Sequence, residues 1–259
     1  MNNPFKRQPK IRFFSVVPGA NTLYPITPTK NLKRDWVVEE KKEHNEKVKR
    51  CPFAIHDLRI TKCPAIKEYM SAGFVMLAPA DLKIIVADNG TLDVQYNKCF
   101  DDWEYAQIHH PSHGDCLIDS GKEYTSPTVI KIITPWRAVV DPDIVFLQTK
   151  IHFNKEPRFT PATGIFDPRM AYEMNVQIFW HVRRGEEIIK AGTPLCQYIP
   201  MSRKLLMSKD YCVDECTPTE WQMELEHRYS QNSSMRSTTT VGQAQIKTTK
   251  IIDKYRNKR

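Results

Sequence analysis

The chain has 259 residues, 41% of them hydrophobic, and a net charge of +8, so it is long enough to bury a sizeable core in one large domain with appendages. No apolar run approaches the roughly 18 residues of a membrane span, and residues 1–10 are polar and basic, so neither a transmembrane helix nor a secretory signal is expected and a soluble, intracellular protein is. The charge is uneven, with seven Lys or Arg and no acid in residues 1–34, seven against Asp253 alone in residues 229–259, and a mildly acidic body between them.

Residues 11–18 predict a strand closed by Pro18-Gly19, and the Pro-rich stretch 24–28 that follows predicts extended chain. Residues 33–50 are highly charged with good helix formers, which predicts a surface helix anchored by Trp36 and ended at Cys51-Pro52, because a proline disfavours helical geometry at the residue before it. A short strand is expected at 54–61 and one brief helix at 63–70, with Pro64 at its start and Gly73 beyond its end. Strands follow at 74–77, 82–86 and 92–96, the last two joined by Asp88-Asn89-Gly90, whose Asn-Gly pair tolerates positive φ.

Residues 97–124 have little periodicity and predict a long irregular loop holding Trp103, Tyr105, His109, His110, His113, Asp115 and Cys116. Two more strands are expected at 128–133 and 144–153, separated by Thr134-Pro135-Trp136 and Asp141-Pro142-Asp143. A link at 156–163 then leads into the segment 164–200. There, residues 174–182 alternate apolar and polar side chains as a half-buried strand does, 183–187 form a polar turn, and 195–200 form a second short strand. Thr217 and Glu220 form a capping box for a helix running to about residue 229. Residues 230–240 have the composition of a flexible linker, and 241–259 form a basic segment, disordered or helical on a partner.

Candidate chemistry is limited. There is no Gly-x-Ser-x-Gly elbow, Walker loop or Gly-x-Gly-x-x-Gly, and only nine glycines are present. His113-Gly114-Asp115 with His181 fits the two-histidine, one-carboxylate iron triad of 2-oxoglutarate oxygenases; the alternative is a polar loop with local hydrogen bonds. Seven cysteines without an export signal point to free thiols, or to a zinc site at Cys212, Cys216 and His227. Asn175, Gln177 and Gln197, read as amides on adjacent strands, can present paired donors and acceptors to a flat ligand. In the basic tail Lys247, Lys250, Lys254 and Arg256 are the binding candidates for a polyanion or an acidic protein.

The run Gly164-Ile165-Phe166-Asp167, Val176-Gln177-Ile178 and Ile189 through Ile199 resembles the later motifs of the trimeric dUTPase fold. That resemblance implies a water-activating role for Asp167, matches Gln197 to the Gln of the family's last motif, and implies a Mg cofactor. Pro194 stands where the family has Arg, and Asp167-Pro168-Arg169-Met170 replaces its Asp-Tyr-Arg-Gly.

Over roughly residues 11–200 the chain also resembles a group of proteins encoded by tailed marine, T4-like phages. Phe14 to Gly19, Trp36, Lys62-Cys63-Pro64, His110-Pro111, Pro135-Trp136 and Met174 through Ile199 carry that likeness, which implies a viral setting, in host cytoplasm or virion, without an activity. The expectation is a mainly β protein: a β-sandwich or dUTPase-like β-clip body at 11–210 with a few short helices. A basic arm at 1–10, a helix at 211–229 and a flexible basic tail at 230–259 complete it. The expected function is non-enzymatic binding or structure, through the basic termini, to a virion component, nucleic acid or host protein, with self-association as a further expectation. The alternatives are a dUTPase-like enzyme or an Fe(II) oxygenase.

Overall fold

The computed structural model describes residues 10–56, 59–96, 104–109, 129–236 and 241–256. The strands in chain order are β1 (Ile11–Ser15), β2 (Thr27–Pro28), β3 (Phe74–Leu77), β4 (Leu82–Val86), β5 (Leu92–Tyr96), β6 (Ala106–Ile108) and β7 (Val129–Ile132), then β8 (Trp136–Val140), β9 (Ile144–Thr149), β10 (Phe159–Pro161), β11 (Gly164–Phe166), β12 (Val176–Trp180), β13 (Gly185–Ile189) and β14 (Pro194–Ser202). The helices are α1 (Ala20–Leu23), α2 (Asp35–Arg50), α3 (Pro64–Ser71), α4 (Arg203–Leu206), α5 (Pro218–Arg236) and α6 (Val241–Arg256). The fold is mainly β, and every ladder between these strands is antiparallel. The chain divides into two units, residues up to 32 with 72–208, and residues 33–71 with 209 onward.

All the strands lie in the first unit. Four sheets run β1-β8, β10-β12-β7-β6, β11-β9-β14-β3-β2 and β13-β4-β5. One core joins them: Leu82 and Ile84 of β4, Ile130 and Ile132 of β7, Phe146 of β9, Val176, Ile178 and Trp180 of β12, and Tyr198 of β14 are all buried in it. The alternation of β12, with Val176, Ile178 and Trp180 inward and Gln177 and Phe179 half-buried, is the period of two that its sequence predicted.

Among the five described glycines at positive φ, Gly90 and Gly73 show what the conformation provides. Gly90 has φ +81° in the β4–β5 turn, while Asn89 does not share the positive φ that the pair allows; its Oδ1 instead accepts the Thr91 N–H at 2.9 Å, an Asx turn that closes the expected hairpin. Gly73 has φ +65°, and a Cβ there would lie 2.0 Å from the Tyr198 carbonyl oxygen. Beside it the Thr29 N–H donates to the Gly73 carbonyl at 3.0 Å, next to the β2–β3 ladder.

Several expectations change. Residues 54–61 were expected as a strand, but the described residues there form 3-10 turns at Pro52–His56 and Ile60–Lys62, with 57 and 58 outside the described set; Ala54, Lys62 and Cys63 donate backbone hydrogen bonds three residues back, to Cys51, Arg59 and Ile60. Short-range bonding has won over the alternation of side chains. Trp136, expected as a separator, begins β8, which pairs with β1 from Ile11↔Val140 to Ser15↔Trp136. Residues 183–187, expected as a turn, are largely β13, laid along β4 from Gly185↔Val86 to Ile189↔Leu82. Consequently β12 and β14, read as neighbours, belong to different sheets.

The secondary-structure elements described in the second unit are helices and 3-10 turns. Asp35–Arg50 forms a helix without a fully buried residue, and Cys51 leaves it in an extended conformation, as the following Pro52 dictates. The helix expected to stop near residue 229 continues to Arg236, and Val241–Arg256 is helical too. At its start the Glu220 N–H donates to Thr217 Oγ1 at 3.3 Å while Glu220 Oε2 accepts the Thr217 N–H at 2.9 Å, which completes the capping box. No helix among the described residues is long and apolar enough to cross a membrane.

Candidate functional site

The segment 164–200 distributes its polar residues among different tasks. Gln197, on β14, is 0% exposed and its Nε2 donates to the Ala72 carbonyl at 2.8 Å. Gln177 is on β12 of the other large sheet and Asn175 lies just before that strand, so the three amides do not line one adjacent pair of strands. Asn175 donates to Glu173 at 3.3 Å, and its buried Oδ1 has no hydrogen-bond partner among the described residues. Tyr198 instead joins the two sheets: its hydroxyl lies 2.7 Å from Gln148 Oε1 and 3.3 Å from the Asn175 carbonyl. Burial weakens Tyr198 and Cys196 as acids, pushing both pKa values up out of the working range, so both stay protonated.

Asp167 follows β11 and its side chain is 8% exposed. Its oxygens accept from Arg169 Nε at 3.1 Å and Arg169 Nη2 at 2.9 Å, from the Arg169 N–H at 3.1 Å, and from Arg203 Nη1 at the start of α4. The Arg169 side-chain bonds, acting against partial burial and helped by the Arg169 N–H and by both guanidinium charges, hold its carboxyl down at about 2. A carboxylate so stabilised is a weak proton acceptor, and two cations at its oxygens oppose a divalent metal there. Nearby, Asp143 accepts from the Ser202 hydroxyl at 2.8 Å and the Lys204 N–H at 2.9 Å. Together these groups clasp the end of β14.

His181 lies just past β12, and its Nε2 is 2.7 Å from Thr160 Oγ1. Its own burial and the Lys150 charge lower its affinity for a proton, leaving a neutral imidazole at neutral pH. His113 and Asp115, its expected metal-binding companions, lie outside the described residues. Among the described residues no three His, Cys, Asp or Glu side chains converge on a metal-sized site; Cys212 and Cys216 are exposed free thiols.

Sequence reasoning missed a groove of about 440 Å³ beside Thr160. It is built from the β9–β10 connection, β10 and the start of β14, and its floor holds the buried Ile151, Phe159 and Leu195. Lys150, Lys155 and Asn154 stand among its polar lining. Phe153 and Lys155 have φ +62° and +38°, left-handed conformations that are uncommon for bulky side chains. Arg158 grips Glu156 with Nε at 2.8 Å and Nη2 at 2.7 Å, and its Nη1 donates to the Ile188 carbonyl at 2.7 Å. Burial opposes the charge of Glu156, but these bonds outweigh it and keep the carboxyl below its ordinary range. The signals in the sequence were Lys150, Lys155 and two prolines, Pro157 and Pro161, in a stretch read as strand and link.

The C-terminal helices form a second exposed surface. On α5, Trp221, Leu225 and Tyr229 are 50%, 49% and 80% exposed, and their four-residue spacing places them on one face. Arg228 stacks its guanidinium 5.8 Å from the Trp221 ring centroid. On α6, Lys247 and Lys250 are exposed, as are Ile246 and Ile252. Lys254 pairs with Glu226 of α5 at 2.7 Å, so this predicted binding residue also ties the two helices. Arg256 lies at the end of α6, its side chain outside the described set.

No protein-family model matches the chain, and no curated protein sequence matches it. Among solved structures, the native EIAV dUTPase is similar at 17% identity and a TM-score of 0.31, over 56% of this chain and 86% of that one. A likeness at that level bears on neither activity nor site residues.

Proposed function

We propose that the protein is a non-enzymatic binding protein of a tailed phage, and that it holds an acidic partner protein, of virion or host, through the paired helices α5 and α6. What supports this reading is the exposed stripe Trp221, Leu225 and Tyr229 in the same unit as the exposed Lys247 and Lys250. Aromatic side chains near a cation are the residue types that anchor protein interfaces, while lysines at a rim steer an acidic partner and add salt dependence. A nucleic acid would use the lysines but has less need of a leucine and tyrosine on one helical face.

The test compares the full chain with Trp221→Ala/Tyr229→Ala and with Lys247→Glu/Lys250→Glu. Capture from phage-infected lysate, with mass-spectrometric identification, is run beside anisotropy with labelled single- and double-stranded DNA, both from about 50 to 500 mM salt. The expected outcome is one acidic protein lost with the aromatic variant at every salt concentration, and weakened by charge reversal chiefly at low salt. DNA binding that survives the aromatic variant and disappears with charge reversal would overturn the reading in favour of a nucleic-acid partner.

A further inference from the structure

The strand β1 belongs to the β unit and has no part in the function proposed above. It ends its sheet, with β8 on one side and no described strand on the other. The Asp141 N–H donates to the Lys10 carbonyl at 2.9 Å and the Val16 N–H to the Pro135 carbonyl at 3.0 Å. Both are directly opposed pairs in the register that sets Ile11 against Val140 and Ser15 against Trp136. In an antiparallel ladder such bonded positions recur at every second residue. Residues 10, 12, 14 and 16 therefore turn their main-chain groups toward β8, and Ile11, Phe13 and Ser15 turn theirs outward, where no backbone bond takes them up among the described residues.

An open edge of this kind is a template for another strand. Edges are commonly blunted by proline, a bulge or an inward-pointing charge, but Ile-Arg-Phe-Phe-Ser contains no proline and pairs with β8 without a shift in register. Its inward side chains, Ile11 and Phe13, are apolar and only partly buried against the core. A strand laid alongside them removes further apolar surface from water.

The order of the outward groups selects the occupant. They are centred on Phe13, so a second β1 running antiparallel about a two-fold axis meets all of them: Phe13 exchanges both its bonds with the partner's Phe13, and Ile11 with the partner's Ser15. On the outer face the same register sets Arg12 against the partner's Phe14 and Lys10 against the partner's Val16. Arg12 already stacks on its own Phe14 at 5.7 Å, and Val16 is 52% exposed. Each cation thus meets a π face or an apolar side chain directly opposite it, the self-complementarity that a two-fold interface requires. The two Arg12 residues lie on a diagonal of about 7–8 Å, and salt screens their repulsion.

We propose that β1 is a self-association edge, through which two copies of the chain join by antiparallel β1 strands centred on Phe13 into one continuous β8-β1-β1-β8 sheet.

The experiment follows the full-length protein by sedimentation from about 2 to 200 μM and from about 50 to 500 mM salt, with amide hydrogen exchange at both ends of the concentration range. The expected result is a monomer–dimer equilibrium that holds or tightens as salt rises, the reverse of the salt dependence expected for an acidic partner on the helices. In the dimer the amides of Ile11, Phe13 and Ser15 should exchange more slowly, while those of Arg12 and Phe14, turned toward β8, should not change. Ile11→Pro removes an outward N–H at the first residue of the strand without costing a bond to β8. It should weaken the dimer about 10-fold or more, and Ile11→Val should retain it. If Ile11→Pro lowers the melting temperature, the exchange pattern of the wild type still decides. A monomer at about 200 μM, a mass that grows past the dimer, an Ile11→Pro dimer as tight as the wild type, or a dimer whose residues 11–15 exchange as in the monomer would overturn the proposal.

Discussion

The two units treat their largest side chains in opposite ways. In the β unit Trp180, Phe146 and Tyr198 are fully buried, whereas in the helical unit Trp221, Leu225 and Tyr229 stand in solvent. Burial of one large aromatic contributes several kcal/mol to folding; exposure of three on one face contributes little, and leaves that apolar area for a partner. Stability therefore resides in the strands, and the unspent apolar surface in the helices.

The sharpest way to break this contrast is at the core. Gly73→Val should cause the largest loss, several kcal/mol or failure to fold, because it combines a left-handed φ with a Cβ overlapping the Tyr198 carbonyl; urea unfolding measures it. Trp180→Ala should cost about 3–5 kcal/mol, and Trp180→Phe much less, since the buried Trp180 indole N–H has no partner among the described residues.

Next in size is the Asp167 clasp. Asp167→Asn should lower stability at pH 7 by about 2 kcal/mol, from a carboxyl held at about 2 in the fold and near 4 in the unfolded chain. Because the folded value is the lower one, this contribution is full above about pH 4 and is lost as pH falls from there through about 2. Unfolding curves of the two proteins should thus converge in acid; parallel curves would refute the ionic origin.

The helical side of the contrast is sharpened by smaller effects. Thr217→Ala, which removes the capping box, should cost about 1 kcal/mol of α5 stability, read as reduced helicity on thermal melting. Trp221→Ala should change stability by no more than about 0.5 kcal/mol while abolishing partner capture. A loss comparable to that of Trp180→Ala would mean that Trp221 is a packing residue and the contrast is false.

The legible parts of the fold were those where one local rule acted alone. β5 and β12 showed alternation and β3 and β4 short apolar runs, each between clear turns, and the Asn89-Gly90 pair declared its hairpin. The β8 strand was hidden by Pro135, a residue that ends elements as readily as it precedes them. Glu186 and Glu187 made β13 read as a turn, because its register against Lys83 and Ile85 is a long-range fact. The same limit governed the site. Asp167 was readable as a special carboxylate, but its second arginine, Arg203, arrives from a segment 36 residues away. The groove needs the β9–β10 connection and β14 together, which no spacing in the sequence could announce.

The Thr29–Gly73 hydrogen bond has a consequence for chain architecture. Together with the β2–β3 ladder it stitches the strand entering the 33–71 excursion to the strand leaving it. The excursion is thus a closed side branch, whose two roots are fastened to each other. Lengthening it would cost only the slow, logarithmic growth of loop-closure entropy, and shortening it would leave the register of β3 untouched. A graft between residues 32 and 72 is therefore the natural point at which this β scaffold accepts a foreign domain.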